Sequence, residues 1–282
     1  MKKPISILLS MLMILSCIQP LAMSTFAISS SDMPEGFVLT SSTPYNICPG
    51  VVEEHIVTVD KNGNNQNKSY VAILDFSSGL VSAMAGYKDY DSSGTWGMQT
   101  VRDQARKAEE KTGKNIVVAI NADYYNMATG EPTNHLVMGG KIVHRSTDPN
   151  SYYFAVLKDG TPVIRNSTEP LDDVWEAVGS PFPLVIDGQV QESLAYDTYA
   201  MPRNAVGVTA DGKVIVMVND GRQAPKSVGY TSYEIAKMMK AYGCVDAVYL
   251  DGGGSATYAS KSEGTNTLTV KNSPSDGNER LV

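Results

Sequence analysis

Histidine, cysteine and clusters of basic residues are what this chain of 282 residues has least of. Its three histidines (His55, His135, His144) and three cysteines (Cys17, Cys48, Cys244) have none of the Cys/His spacings of a zinc site. No Gly-x-Ser-x-Gly elbow occurs, and the one Gly-Gly-Gly run lacks the lysine of a phosphate-binding P-loop. The signatures of serine hydrolases and nucleotide hydrolases are therefore missing. Lys and Arg number 23 against 30 Asp and Glu, a formal charge of −7, with no basic run and no interleaving of arginine with aromatics. Those absences exclude nucleic acid as the expected partner. The single long apolar run, Ile5 to about Ile18, is broken by Gln19-Pro20 and is short for a membrane span.

That run belongs to a leader. Met1-Lys2-Lys3 supplies a basic start, the apolar stretch follows, and Thr25-Phe26-Ala27 offers small residues for cleavage, so residues 1–27 read as a secretory signal peptide of bacterial type. No transmembrane anchor is expected once it is removed, and the mature chain is expected to be secreted or envelope-associated. Ile14-Leu15-Ser16 before Cys17 keeps lipoprotein anchoring as the lesser alternative, because Leu15 sits where a smaller residue is commoner. Cys48 and Cys244 then remain, either as one disulfide or as two thiols.

Residues 28–50, rich in Ser, Thr and Pro, read as a linker or an extended lead-in to a single folded domain over 51–282. Strands are expected over Val52–Val59, Tyr70–Phe76, Leu80–Ala85 and Asn115–Asn121. Short ones follow over Leu136–Met138, Lys141–His144, Tyr152–Leu157, Pro162–Ile164 and Pro181–Asp187, and a hairpin pairs Ala205–Thr209 with Lys213–Val218 across Asp211-Gly212. Helical periodicity covers Thr100–Lys111, with Val101, Ala105 and Ala108 on one face, and Thr231–Tyr242, where Thr231 and Glu234 spell a capping box. Many short strands, frequent hairpin turns and two or three helices define an α+β domain with mostly antiparallel or mixed sheet.

Chemistry concentrates where apolar strands end. Asn121-Ala122-Asp123-Tyr124-Tyr125 follows one strand, Asn219-Asp220-Gly221-Arg222 another, and Asp251-Gly252-Gly253-Gly254-Ser255 a third. The polar loop Thr129–His135 carries Glu131 and His135, and Arg203 leads into the 205–209 strand. Three consecutive glycines are costly for regular structure alone, but they allow positive φ and close backbone approach to a ligand. Carboxylates beside arginines and exposed N–H groups suit an anionic or polyhydroxylated ligand, arginine forking onto phosphate and carboxylates serving as acid and base. Simpler roles stand beside these: Asn121 as a turn cap, Glu234 as the capping-box residue, Arg203 in a surface ion pair.

Seven pieces in order resemble the phosphodiester glycosidase domain family. They are Ala119-Ile120-Asn121 with Tyr125, Gly130-Glu131-Pro132-Thr133, Pro202–Gly207, Asp220-Gly221-Arg222, Ser227–Thr231 with Glu234 and Ala236, Leu250–Thr257, and Asn272–Gly277 with Glu279-Arg280. The resemblance, spanning about Val52 to the end, implies hydrolysis of a sugar-1-phosphate diester, of the N-acetylglucosamine-1-phosphodiester type, at the anomeric carbon. It implies Glu131, Asp220, Glu234 and Asp251 as candidate catalytic carboxylates. Asn121, His135, Arg203, Arg222, Ser227, Gly252, Gly253, Gly254, Ser255 and Arg280 are implied as substrate-binding candidates. No cofactor is required by this reading, and a hard cation, calcium or magnesium, stays open at the aspartates. A non-catalytic glycan-binding module and a metal-dependent phosphodiesterase are the competing functions. Ala122-Asp123-Tyr124-Tyr125 departs from the family's common Gly-Gly-Phe-Phe, which bears on the sugar pocket. The family usually continues into a final strand beyond Leu281-Val282.

Overall fold

The computed structural model describes residues 28–282, so the leader and Cys17 lie outside the described residues. Among the described residues, sixteen strands and two α-helices form an α+β domain. The largest sheet has eight strands: β1 (Phe37–Cys48), β2 (Val51–Asp60), β3 (Gln66–Asp75), β10 (Pro183–Ile186), β11 (Gln189–Val190), β12 (Arg203–Thr209), β13 (Lys213–Asn219) and β14 (Cys244–Leu250). Their order is β1-β2-β3-β13-β12-β14-β10-β11, and every pairing is antiparallel. A three-stranded sheet joins β4 (Val118–Ile120), β15 (Tyr258–Ser260) and β16 (Thr269–Val270). A five-stranded one joins β5 (Leu136–Met138), β6 (Lys141–His144), β7 (Tyr152–Leu157), β8 (Pro162–Asn166) and β9 (Val174–Ser180).

The large sheet is apolar on both faces because both are covered. Along β13, Ile215 and Met217 face one way; there α2 (Ser232–Ala241) lays down Ile235, Met238 and Met239. Val214, Val216 and Val218 face the other way, toward Tyr258 and Phe154 of the smaller sheets. The capping box of α2 forms as expected: Thr231 N–H donates to Glu234 Oε2 at 2.7 Å, and Glu234 N–H to Thr231 Oγ1 at 3.2 Å. α1 (Val101–Thr112) is capped by Thr100 and ended by Gly113 in the left-handed region, and it buries Val101, Ala105 and Ala108.

Two expectations change, and the alternative left open for the cysteines resolves to thiols. Within residues 28–50, read as a linker or extended lead-in, Ser30–Asp32 form a short 3-10 turn and Phe37–Cys48 pairs along β2 as an edge strand with two bulges. An edge strand tolerates Pro44 and a polar composition because only one side must pair. The expected strand Leu80–Ala85 does not form; the segment has no ladder partner and lines an apolar cavity of about 660 Å³ with Val118, Ile120, Leu74 and Val206. Cys48 and Cys244 are both free thiols, with burial pushing the Cys244 thiol well up.

Candidate active site

The topology brings the polar strand ends together. β13 and β14 both run antiparallel to β12, so their C-terminal ends meet at one edge, in register with Arg203 and Asn204. Asp220 and Asp251 follow immediately. Asn121, at the end of β4, is fastened to the same place. Its Nδ2 donates to Asp251 O at 2.7 Å, while its Oδ1 accepts from Asn204 Nδ2 at 2.6 Å and Thr257 N at 2.9 Å. All four residues are buried, so Asn121 holds the root of the glycine loop, with both polar atoms of its side chain bonded within the protein.

The glycine loop is threaded between two guanidiniums. A Cβ on Gly252 would stand 2.5 Å from Pro202 O and 2.6 Å from Tyr249 Oη. One on Gly253, whose φ is +58°, would stand 3.1 Å from Arg222 Nη1. One on Gly254 would collide with Arg280 Nη2 and the Asp276 carboxylate. Three glycines are therefore needed for close approach, and any side chain here would fill the space where cations flank the backbone.

The two guanidiniums differ. Arg222 is exposed, sits at φ +59° and makes no ion pair among the described residues; its Nη2 rests 3.8 Å from Met201 Sδ. A non-glycine residue in that region marks local strain of the kind kept at functional sites. Arg280 is paired with Asp276 and reaches Ser255 Oγ at 3.4 Å. Arg203 does not join them. It is buried under the loop: Nε donates to Tyr230 O (3.2 Å), Nη1 to Tyr249 Oη (3.3 Å), and Nη2 to Asp197 Oδ2 and Tyr199 O (both 2.7 Å). With four of its five N–H donors taken by the protein, Arg203 serves as a structural tie beneath the loop.

Among the carboxylates, Asp251 is 8% exposed, and burial pushes its pKa up to about 6 against the opposing pull of Ser255, Arg280 and the Gly252 N–H. It is thus poised to exchange a proton near neutrality. Asp220 is 2% exposed and also raised by burial to about 6, but its Oδ1 accepts from Ser273 N (2.8 Å) and Asn272 Nδ2 (3.2 Å), which anchors the segment carrying Asp276 and Arg280. Glu131 sits apart, in a polar depression with Tyr125, His144 and Arg145. Glu234 is taken up by the cap of α2.

His135 and Ser227 are also internal. His135 Nε2–H donates to Ser167 O at 3.0 Å and its Nδ1 accepts from Ser146 N at 2.9 Å, one neutral tautomer that burial favours. Ser227 Oγ donates to Asp220 O at 2.9 Å. Three groups outside the expected set belong to the site: Asn204, Asp197 and Tyr124, whose phenol is pushed far up by burial, beside Tyr249 and Asp251. Asp197 carries no sequence signal, being an interior partner set by folding; Asn204 lay in the Pro202–Gly207 piece, and Tyr124 in the Asn121–Tyr125 group, without an assigned role. No cluster of three or more His, Cys, Asp or Glu with metal-ligand proximity occurs among the described residues.

With this geometry in hand, comparison with known proteins is informative. Residues 114–282 match the phosphodiester glycosidase family. The chain belongs to that family. It is 26% identical over 263 residues, 87% of its length, to the uncharacterized prophage-derived protein YomE of Bacillus subtilis. It is 27% identical over 165 residues, half of its length, to the N-acetylglucosamine-1-phosphodiester alpha-N-acetylglucosaminidase of Mus musculus. The chain spans only about a third of the length of these relatives (37% and 31%). Among solved structures, the catalytic domain of the zebrafish enzyme of that name, auto-inhibited by its pro-peptide, superposes with a TM-score of 0.65 at 19% identity, covering 88% of this chain and 86% of that one. That likeness establishes the fold.

Proposed function

We propose that the protein hydrolyses a sugar-1-phosphate diester at the anomeric C–O bond, with N-acetylglucosamine as the reference sugar. The observation that carries this reading is the Gly252–Gly254 backbone set between Arg222 and Arg280, with the Asp251 carboxyl beside it at about pKa 6. In this reading Arg222 and Arg280 hold the phosphate as it leaves. Asp251, ionised, accepts a proton from the water that attacks the anomeric carbon. The electron pair of the breaking C–O bond goes to the phosphate oxygen, whose charge the guanidiniums offset, so no separate acid is required of Glu131, Asp220 or Glu234. The leader read at residues 1–27 supports a reaction outside the cytoplasm, on an envelope or exogenous glycan. The reading asks for no cofactor.

The test is hydrolysis of UDP-N-acetylglucosamine in oxygen-18 water, with Arg222→Ala and Asp251→Ala as controls. Label in the free sugar, with turnover lost in both variants and rising with pH through about 6 in the parent, is the expected result. Label in the phosphate replaces this mechanism with P–O cleavage, and loss of turnover on chelation assigns that cleavage to a metal. Glycan binding without turnover reduces the protein to a binding module.

A further inference from the structure

The aromatic groups beside Asp251 make a stack that ends at the surface. Phe182 and Tyr249 lie ring on ring, with centroids 4.8 Å apart and planes 9° from parallel. Tyr249 carries the Arg203 guanidinium 5.3 Å from its ring centroid. Tyr124 follows at 6.2 Å and 33°, and it is 37% exposed although its phenol lies beside Tyr249 and feels the charge of Asp251. Tyr124 is thus backed by Tyr249 and partly open to solvent.

The Arg203 guanidinium also ties down the neighbouring loop, 191–200. Asp197 Oδ2 accepts from Arg203 Nη2 at 2.7 Å, from Ser232 N at 3.0 Å and from Ser232 Oγ at 2.7 Å, and the Tyr199 carbonyl accepts a second Nη2 bond. That loop presents Tyr196 and Tyr199, 89% and 78% exposed. Rings this exposed contribute little to packing and stand open to a partner.

We propose that Tyr124 is the floor of a subsite for the pyranose ring of the substrate, and that the 191–200 loop, held by Arg203 and Asp197, supplies its wall through Tyr199 and Tyr196. The proposal rests on reading the site as one for sugar-1-phosphate diesters. A pyranose offers an apolar face of C–H groups, which suits a tyrosine ring, and an edge of hydroxyls. That edge would meet Asp251 and the glycine-loop backbone, while the phosphate at C1 turns toward Arg222. An alkyl chain would meet a floor ringed with polar atoms. Arg203 acts here as a positioning residue.

Two measurements test this together. The methyl diester of N-acetylglucosamine 1-phosphate has no aromatic aglycone, so its KM reports the sugar ring. Tyr124→Ala is expected to raise that KM about three- to ten-fold with kcat within about two-fold, the size of one aromatic contact, and Tyr124→Phe to restore it. Saturation-transfer NMR with N-acetylglucosamine 1-phosphate is expected to reach the pyranose C–H protons in the parent and in Tyr124→Phe, and to fade in Tyr124→Ala. Unchanged KM and unchanged transfer in a folded Tyr124→Ala overturn the subsite while leaving the hydrolase reading intact. Absence of hydrolysis in the parent, with transfer that still depends on Tyr124, overturns the hydrolase reading and leaves the subsite. Tyr199→Ala, on an exposed loop, decides the matter if Tyr124→Ala fails to fold: the same KM and the same transfer as the parent refute the proposal.

Discussion

Replacing Asn121 by alanine should strip the site of its fastening. The side chain makes three hydrogen bonds of 2.6 to 2.9 Å, to Asn204 Nδ2, Asp251 O and Thr257 N, all among buried residues. The variant leaves two donors and one acceptor without their partner, and each unsatisfied buried group costs about 1–3 kcal/mol. Some of that is recovered by relaxation and by water, so the expected loss is about 3–5 kcal/mol. For a domain of this size that corresponds to a fall in Tm of about 6–20 °C. Because Asp251 is held through its own carbonyl, turnover should fall further than the loss of folded protein explains. Urea titration followed by circular dichroism gives the stability, and hydrolysis measured well below the melting range gives the activity. Asn204→Ala should cost less, since Asn121 Oδ1 keeps Thr257 N, and the double variant should show a coupling of about 1 kcal/mol. A loss under about 1 kcal/mol for Asn121→Ala, or additivity in the double variant, would falsify the clasp.

Arg203→Lys should lower Tm substantially, because an ammonium cannot reproduce bonds to Tyr230, Tyr249, Asp197 and Tyr199 at once; scanning calorimetry with Arg203→Ala as reference checks it. Glu234→Ala should cost about 0.5–1 kcal/mol through the lost cap and leave turnover in place; a collapse of kcat in the folded variant returns Glu234 to the chemistry. Asp220, raised by burial to about 6, binds its proton more tightly in the folded than in the unfolded chain. Its contribution therefore favours folding below about pH 4 and is lost as pH rises through about 6. Asp220→Asn should be more stable than the parent at pH 7, by up to about 3 kcal/mol, and about equal to it near pH 4. Urea midpoints at the two pH values decide, and equal differences at both refute the assigned shift.

Both helices were legible in the sequence because their signals are local. Thr231, Glu234 and Gly243 lie within one segment, as do Thr100 and Gly113, and each cap forms as its residues dictate. The central strands were legible for the same reason, since β13 and β14 are apolar on both faces and mark themselves as buried. β1 and β9 were not. One is a polar edge strand, and the other carries Glu176, whose carboxylate accepts from Ala85 N and Gly139 N inside the fold. Leu80–Ala85 has strand composition without a neighbour to pair with, and composition supplies no partner.

The sequence by itself determined the residue types of the site and their order: Asn121, Asp220 with Arg222, and Asp251 with three glycines, each at the end of an apolar run. Only the tertiary structure decided which of them remain free to act. Strand direction placed Asp220 and Asp251 on either side of β12. Burial then divided the polar groups: Arg203, His135, Ser227 and Glu234 are bonded within the protein, while Arg222 faces outward without an ion pair among the described residues and Asp251 is raised toward neutrality. The physical reason is that a hydrogen bond or a desolvated carboxyl depends on neighbours brought from 80 to 130 residues away, as with Asn121, Asn204 and Asp251, and a linear pattern carries no record of who those neighbours are.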